Sequence, residues 1–174
     1  MTSLLSRLAV GGVLIAALGG AVAPVATAAP APAVNCNEGN SLKDVFHSAD
    51  HDGISVVFNF HCKVEGTVRE IAFLNPGEKP FNMEGEIKEV ALKNGKKVKV
   101  DQSAKAWIRV VTDGYNWTKD AYKGENILSG EGAVKQIVHG DNFEGQSNWF
   151  IGLDKKRGFT KTVKGKTITV TVKV

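Results

Sequence analysis

The stretch from His139 to Phe159, HGDNFEGQSNWFIGLDKKRGF, decides how this chain is interpreted. It begins with His139, Asp141 and Glu144, which are residue types of a metal site or an acid–base pair. It continues with an alternating apolar run and a charged turn, as an ordinary β-hairpin does. Side chains that follow one another along strands and turns point in different directions. We therefore favour a structural β-hairpin over a metal or acid–base site, and call this the architectural interpretation.

The architectural interpretation predicts a strand that ends at Ile137 and Val138, followed by a turn at residues 140–142. Phe143 then enters the core beside the apolar positions of the next strand, Trp149, Ile151 and Leu153. A second turn covers residues 154–158, where the Asp154 carboxylate accepts hydrogen bonds from backbone amides, as Asp commonly does in turns.

Alternation of apolar and polar residues runs through most of the chain and predicts half-buried β-strands. The clearest apolar positions are Ile54, Val56, Phe58 and Phe60 in one strand and Ile168, Val170, Val172 and Val174 in the last. No helix of convincing length is predicted, since the best candidate, Ser41–Asp50, has apolar residues for only one turn. The predicted fold is all-β, an antiparallel β-sandwich or barrel with the sandwich preferred, in one domain over residues 41–174.

Turn residues separate these strands. Asn94-Gly95 predicts a hairpin, and a three-residue loop places Val90 on the same face as Val98. Lys164-Gly165 predicts the last turn, and the Pro/Gly segment Leu74–Phe81 predicts a loop.

The N-terminal residues predict export. Residues 1–28 carry a charge at Arg7, a short apolar run and an A-x-A site, as secretory signal peptides do. Residues 29–40 form an extended leader. In an oxidising compartment the only two cysteines, Cys36 and Cys62, are expected to form a disulfide that stabilises by about 3 kcal/mol. The alternative, lipid attachment at Cys36, is disfavoured because Asn35 precedes it.

The charge pattern excludes some partners. The net charge of +4 comes from lysines scattered along strands and turns, which is typical of solvated sheet faces. A nucleic-acid site would need a basic stripe with aromatic partners. The apolar N-terminal run is too short for a transmembrane span.

Four segments resemble the AMIN-like domain family of secreted actinobacterial proteins: HDGISVVFNF (51–60), VEGTVREIAF (64–73), AYKGE (121–125) and NFEGQSNWFIGLDKKRGFTKTV (142–163). The resemblance covers roughly residues 50–174, and its C-terminal part is the most specific. The chain departs from the family at Ser55-Val56, where an Asp-Arg pair is expected, and the segment 77–107 has no clear counterpart. The resemblance implies a β-sandwich without established catalytic machinery, similar to the non-catalytic targeting modules of cell-wall amidases and secretins.

Two further groups are candidate sites. The segment 47–53 could bind a divalent ion through His47, Asp50, His51 and Asp52, although a polar loop is the simpler interpretation. The metal interpretation would gain support if His51 and Asp52 met His139 and Asp141. Tyr115, Trp117 and Tyr122 either form an exposed surface for stacking on sugars or cap the open end of the sandwich.

We therefore expect a secreted, non-enzymatic module without a cofactor that binds a cell-wall component or an envelope protein. One alternative is a secreted hydrolase that uses the His/Asp clusters. The other is an extracellular inhibitor that presents the Leu74–Phe81 loop. The ligand and the oligomeric state are not predicted.

Overall fold

A computed structural model describes residues 34–115 and 122–174. Its strands are β1 (Leu42–Asp50), β2 (Gly53–Phe60), β3 (Val68–Phe73), β4 (Phe81–Asn82), β5 (Gly85–Glu86), β6 (Glu89–Ala91), β7 (Lys97–Lys99), β8 (Ala106–Thr112), β9 (Ile127–Ser129), β10 (Val134–Phe143), β11 (Gln146–Leu153), β12 (Phe159–Lys164) and β13 (Thr167–Val172). The described residues form no α-helix. Across these two ranges, no helix has the length and hydropathy that a bilayer span requires.

Two antiparallel sheets form the body of the domain. The first has the strand order β1-β2-β13-β12, and the second has the order β3-β8-β11-β10-β9. Apolar side chains from both sheets make one continuous core, in which Phe58 and Val170 of the first sheet join Ile108 and Trp149 of the second. Burying each such side chain contributes about 1.5–3 kcal/mol. The predicted all-β sandwich is confirmed.

The second sheet is covered on both faces. Its outer face, turned away from the first sheet, carries a separate apolar cluster that includes Trp107, Val138 and Phe150. Ile87 and Val100 pack onto this cluster from the segment between β3 and β8, which contains the short hairpins β4–β5 and β6–β7. The segment that had no clear family counterpart therefore supplies a cover for the outer face.

The β10–β11 connection differs from the prediction. Residues 140–142 are not a turn, because β10 continues through them to Phe143. The turn is at Glu144-Gly145, which have positive φ values of 49° and 75°, as a two-residue hairpin turn of type I′ requires. Phe143 does not enter the core, since 43% of it is exposed. The prediction that Trp149, Ile151 and Leu153 are core residues is confirmed.

The helix candidate is a strand, and two of the predicted turns are present. The helix candidate Ser41–Asp50 is strand β1 from Leu42 onward, and it pairs with β2. The β6–β7 hairpin pairs Val90 with Val98, and Leu92 N donates to Lys96 O at 2.8 Å, which confirms the three-residue loop. Asp154 Oδ1 accepts the Lys155 amide at 2.8 Å, as predicted for that turn.

A disulfide joins Cys36 to Cys62, which are 26 residues apart. The connection is reinforced by the buried side chain of Asn40, whose Oδ1 accepts the amides of Ser41 and Cys62 at 2.9 and 2.8 Å. Its Nδ2 donates to the carbonyl of Cys62 at 3.1 Å. Cys36 and Asn40 are thus fixed, covalently and by hydrogen bonds, to the residues that follow β2.

Candidate functional site

Asp52 and His139, two of the four residues in the proposed metal cluster, form hydrogen bonds or ring contacts with neighbouring residues. Asp52 lies in the β1–β2 turn, where Asp50 Oδ1 accepts its amide at 2.9 Å. His139 stacks on Trp149 with ring centroids 4.7 Å apart, and its Nε2 is 3.0 Å from Asn142 Oδ1. Among the described residues, which include all four, no group of three or more His, Cys, Asp or Glu side chains could hold a metal ion.

The sequence left open whether the aromatic candidates are exposed or cap the sandwich, and two of the three lie within the described residues. Tyr115 and Tyr122 are only 5% and 6% exposed and belong to the sandwich core. The Tyr122 hydroxyl donates to the carbonyl of Glu125 at 2.7 Å, and its ring meets Trp149 edge to face. The stacking interpretation is therefore wrong for these two rings, which fit the capping interpretation. Trp117 lies outside the described residues, and its role stays a prediction.

A pocket of about 200 Å³ opens instead on the outer face of the second sheet. We call it the outer-face pocket, and it is lined by Phe81, Asn82, Met83, Arg109, Asp141, Phe143, Gln146 and Asn148. Its floor comes from β8 and β11, and its walls come from the β4–β5 hairpin and the end of β10.

The floor of the pocket is a fixed polar network. Arg109 donates from Nε and Nη2 to Asn148 Oδ1 at 3.1 and 2.6 Å, and its Nη1 contacts Glu70 Oε2 at 3.4 Å. Asn148 Nδ2 in turn donates to Asp141 Oδ1 at 2.9 Å. Because Asn148 is buried and every group has a partner, the network holds its donors and acceptors in fixed positions.

A β-bulge in the opening stretch of the sequence builds one wall. His139 pairs with Trp149 and Asn142 pairs with Ser147, so Gly140 and Asp141 together oppose the single residue Asn148. Such bulges change the direction of a side chain within a strand. Asp141 can therefore contact Asn148 on one side, while its Oδ2 accepts the Met83 amide at 3.2 Å on the other.

The rim of the pocket is apolar. Among the described residues five large hydrophobic side chains are exposed, and three of them, Phe81, Met83 and Phe143, line this pocket. The Arg109 guanidinium lies 5.0 Å from the centre of the Phe81 ring, which fixes the ring above the polar floor. Clustered exposed apolar side chains with a polar surround are typical of interaction sites.

A larger cavity, of about 590 Å³, lies beside the hairpins and is a weaker candidate. It is lined by two acidic and two basic side chains, Glu86, Glu89, Lys88 and Lys99, and by Val100 and Gln102. None of the five exposed large hydrophobic side chains in the described part of the chain lines it. The outer-face pocket combines fixed polar groups with an apolar rim, which is the usual composition of a ligand site.

The comparison with protein families decides how the chain is classified. The AMIN-like domain family matches residues 71–174, which is more than half of the chain. The chain belongs to the AMIN-like family. No curated protein and no solved structure matches it. The matched part of this AMIN-like domain contains every residue that lines the outer-face pocket.

Family membership has a general functional meaning. An AMIN-like domain indicates a binding module associated with the cell envelope, and the disulfide of this one agrees with an extracellular or envelope location. The sequence did not predict Phe81, Met83, Arg109 and Asn148 as site residues. An arginine inside the apolar strand AWIRVV was the available signal, since a charge there needs a specific partner.

Proposed function

We propose that this chain is a secreted, non-catalytic module that binds a component of the cell wall in the outer-face pocket. The observation that carries the proposal is the convergence of three exposed hydrophobic side chains on one pocket with a fixed polar floor. Leaving such side chains in water is unfavourable, so a partner that covers them gains free energy.

The composition of the pocket favours a ligand with both apolar and hydrogen-bonding faces. The rings of Phe81 and Phe143 offer flat apolar surfaces, which suit the C–H faces of a sugar or an apolar peptide side chain. Arg109, Asp141 and Asn148 offer donors and acceptors for hydroxyl and amide groups. Wall glycans and their peptides carry both kinds of surface, and binding them needs no covalent step.

Co-sedimentation of the purified protein with cell-wall sacculi over a salt series tests the proposal. Phe143→Ala and Met83→Ala are suitable variants, because both side chains are exposed and their loss removes little packing. Each is expected to weaken binding about tenfold, as loss of an interface hot spot does. The matched control is Phe46→Ala on β1, since Phe46 is 44% exposed and lies away from the pocket.

Binding that persists at moderate salt, weakens in the two pocket variants and is unchanged in Phe46→Ala would support the proposal. If salt abolishes binding of the unmodified protein, the interaction with sacculi is charge attraction and the proposal is not supported. Equal effects of all three variants would remove the outer-face pocket from consideration.

Export is a part of the proposal that can be tested separately. The composition of residues 1–28 supports a cleaved signal peptide, and the disulfide supports an oxidising destination. Mass spectrometry of the extracellular protein should find an N-terminus at Ala29. An intact N-terminus on protein retained inside the cell would contradict export.

A further inference from the structure

A second pocket lies next to the outer-face pocket along strand β8. Trp107 lines this second pocket and Arg109 lines the first. Because these side chains are two residues apart in β8, they lie on the same face of the strand, and the pockets are neighbours. The second pocket has a volume of about 190 Å³, several times the roughly 30 Å³ that one water occupies in the liquid. Its other boundaries are the loop at residues 74–79 and the turn that contains Lys156.

Three lysines border this cavity, and we call it the basic pocket. Lys79 comes from the loop, Lys105 precedes β8, and Lys156 comes from the β11–β12 turn. Within the described residues none of the three forms a salt bridge with a carboxylate. Lys79 Nζ donates hydrogen bonds to the carbonyls of Gln102 and Ala104, at 3.4 and 3.3 Å.

Among the described residues one carboxylate lines the pocket, and it is hydrogen-bonded within its own loop. Glu78 accepts the backbone amide and the side-chain amide of Asn75, both at 2.9 Å. The hydrogen bonds from Asn75 also lower the pKa of Glu78, so it stays ionised and fixed. Three lysines and one glutamate leave the lining with a formal charge of +2.

The walls of the basic pocket strengthen its field. Phe73 and Trp107 are apolar walls, and the Lys156 ammonium lies 5.1 Å from the centre of the Phe73 ring. Low-dielectric walls concentrate the potential of lysines that face one cavity. The Trp107 indole N–H is also buried with no acceptor among the described residues.

We propose that the basic pocket binds an anionic group, a phosphate or a carboxylate, carried by a polymer of the envelope. Lys105 and Lys156 supply the principal charges, since both are exposed and neither has a carboxylate partner among the described residues. Lys79 holds the loop in place. The inference concerns a different pocket from the proposed function and stands on different residues.

The test is a titration of the purified protein with inorganic phosphate and, separately, with acetate, at constant ionic strength. Two-dimensional NMR follows the backbone amides of Lys105, Trp107 and Lys156. The variant is Lys105→Gln with Lys156→Gln, and the control is Lys43→Gln with Lys161→Gln, which lowers the net charge equally on the first sheet. We expect saturable changes in the amide chemical shifts of the unmodified protein. The affinity that they report should fall at least about fivefold in the variant and stay unchanged in the control.

Each outcome has a defined meaning. Tighter binding of phosphate assigns the site to a phosphoryl group, whereas equal or tighter binding of acetate assigns it to a carboxylate. Absence of saturable shifts with either anion, or equal weakening in the variant and the control, overturns the proposal. The titration should also be unchanged in Phe143→Ala, so that failure of the outer-face pocket and failure of the basic pocket can be told apart.

Discussion

Gly140 shows how a single residue positions the candidate site. A Cβ atom at this position would lie 2.6 Å from Cε2 of Phe150 and 3.1 Å from the carbonyl oxygen of Phe81. Phe150 is fully buried in the outer apolar cluster, so its ring can move only by shifting packed neighbours. The absence of a side chain at position 140 therefore allows the β4 segment to approach the second sheet and places Phe81 over the polar floor.

The substitution Gly140→Ala is expected to destabilise the protein by about 1–3 kcal/mol, since overpacking forces buried neighbours to shift. It should also weaken sacculus binding, because the displaced segment carries Phe81 and Met83. Urea unfolding measures the first effect and co-sedimentation the second.

Gly158→Ala is the matched control for this prediction. A Cβ atom there would meet only Cδ of Lys173 at 3.5 Å, an ordinary contact, so stability should change by less than about 0.5 kcal/mol. A Gly140→Ala protein as stable as the Gly158→Ala protein would contradict the tight approach at position 140.

Prediction from sequence was least successful for residues whose environment is set by distant parts of the chain. Tyr115 and Tyr122 lie in a polar segment, yet both side chains are buried in the core. Phe143 follows a turn-like sequence, yet it is exposed at the pocket rim. Alternation shows which residues of a strand share a face, but it cannot show which face a distant segment of the chain covers.

At the scale of elements, the sequence Gly140-Asp141-Asn142 has the composition of a turn but forms a bulge inside a long strand. Gly, Asp and Asn are all common in turns, and a Gly inside a strand also marks a bulge, so this composition does not distinguish the two. The hairpin at Asn94-Gly95 was predicted correctly because the apolar residues on both sides fix its register. Local patterns therefore determine a turn only when its flanking strands constrain it.

The turn between β11 and β12 is closed by an ion pair that sets a pH dependence. Arg157 donates from Nε and Nη2 to the two carboxylate oxygens of Asp154 at 2.8 and 2.9 Å. These hydrogen bonds are the main reason that the pKa of Asp154 falls from 3.8 to about 2. Because the folded-state pKa is the lower one, the pair stabilises the fold above about pH 4, and this contribution is lost as pH falls towards about 2.

The substitution Arg157→Gln should raise the pKa of Asp154 back towards 3.8, and carboxyl ¹³C NMR can measure it. Arg69→Gln is the control, since Arg69 pairs with Asp113 at 3.6 Å elsewhere on the surface and should leave the Asp154 titration unchanged. A midpoint near 3.8 for Asp154 in the unmodified protein would show that the pair does not form in solution.

At the scale of the whole molecule, the chain contains two apolar clusters of different origin. The sandwich core follows from strand alternation, and the sequence predicted its residues in β2, β11 and β13. Val174, which the same alternation placed on the apolar face of the last strand, is instead exposed beyond the end of β13. The outer cluster depends on short hairpins that fold over the second sheet, and their strands are too short for alternation to predict which side chains are buried. Both pockets lie where this cover meets the sheet, which is why the sequence did not predict either of them.

This arrangement predicts that the cover opens without unfolding of the sandwich. Strands β4 and β5 have two residues each and β6 and β7 have three, and each pairs only with its hairpin partner. Strands β2, β8, β11 and β13 instead pair with neighbours on both sides. Two-stranded ladders are marginally stable by themselves. Native-state hydrogen exchange should therefore give amides in β4–β7 an opening free energy at least about 2 kcal/mol below that of β2, β11 and β13.

A ligand in the outer-face pocket must stabilise this cover, because Phe81 and Met83 contact it from the β4–β5 hairpin while Arg109 and Asn148 contact it from the sheet. Soluble cell-wall fragments at saturating concentration should then slow exchange in β4, β5 and the end of β10, and leave β1 and β12 unchanged. Equal opening free energies in the cover and the sandwich would show one cooperative unit and contradict independent opening. Protection confined to the first sheet would move the binding surface to the opposite side of the molecule.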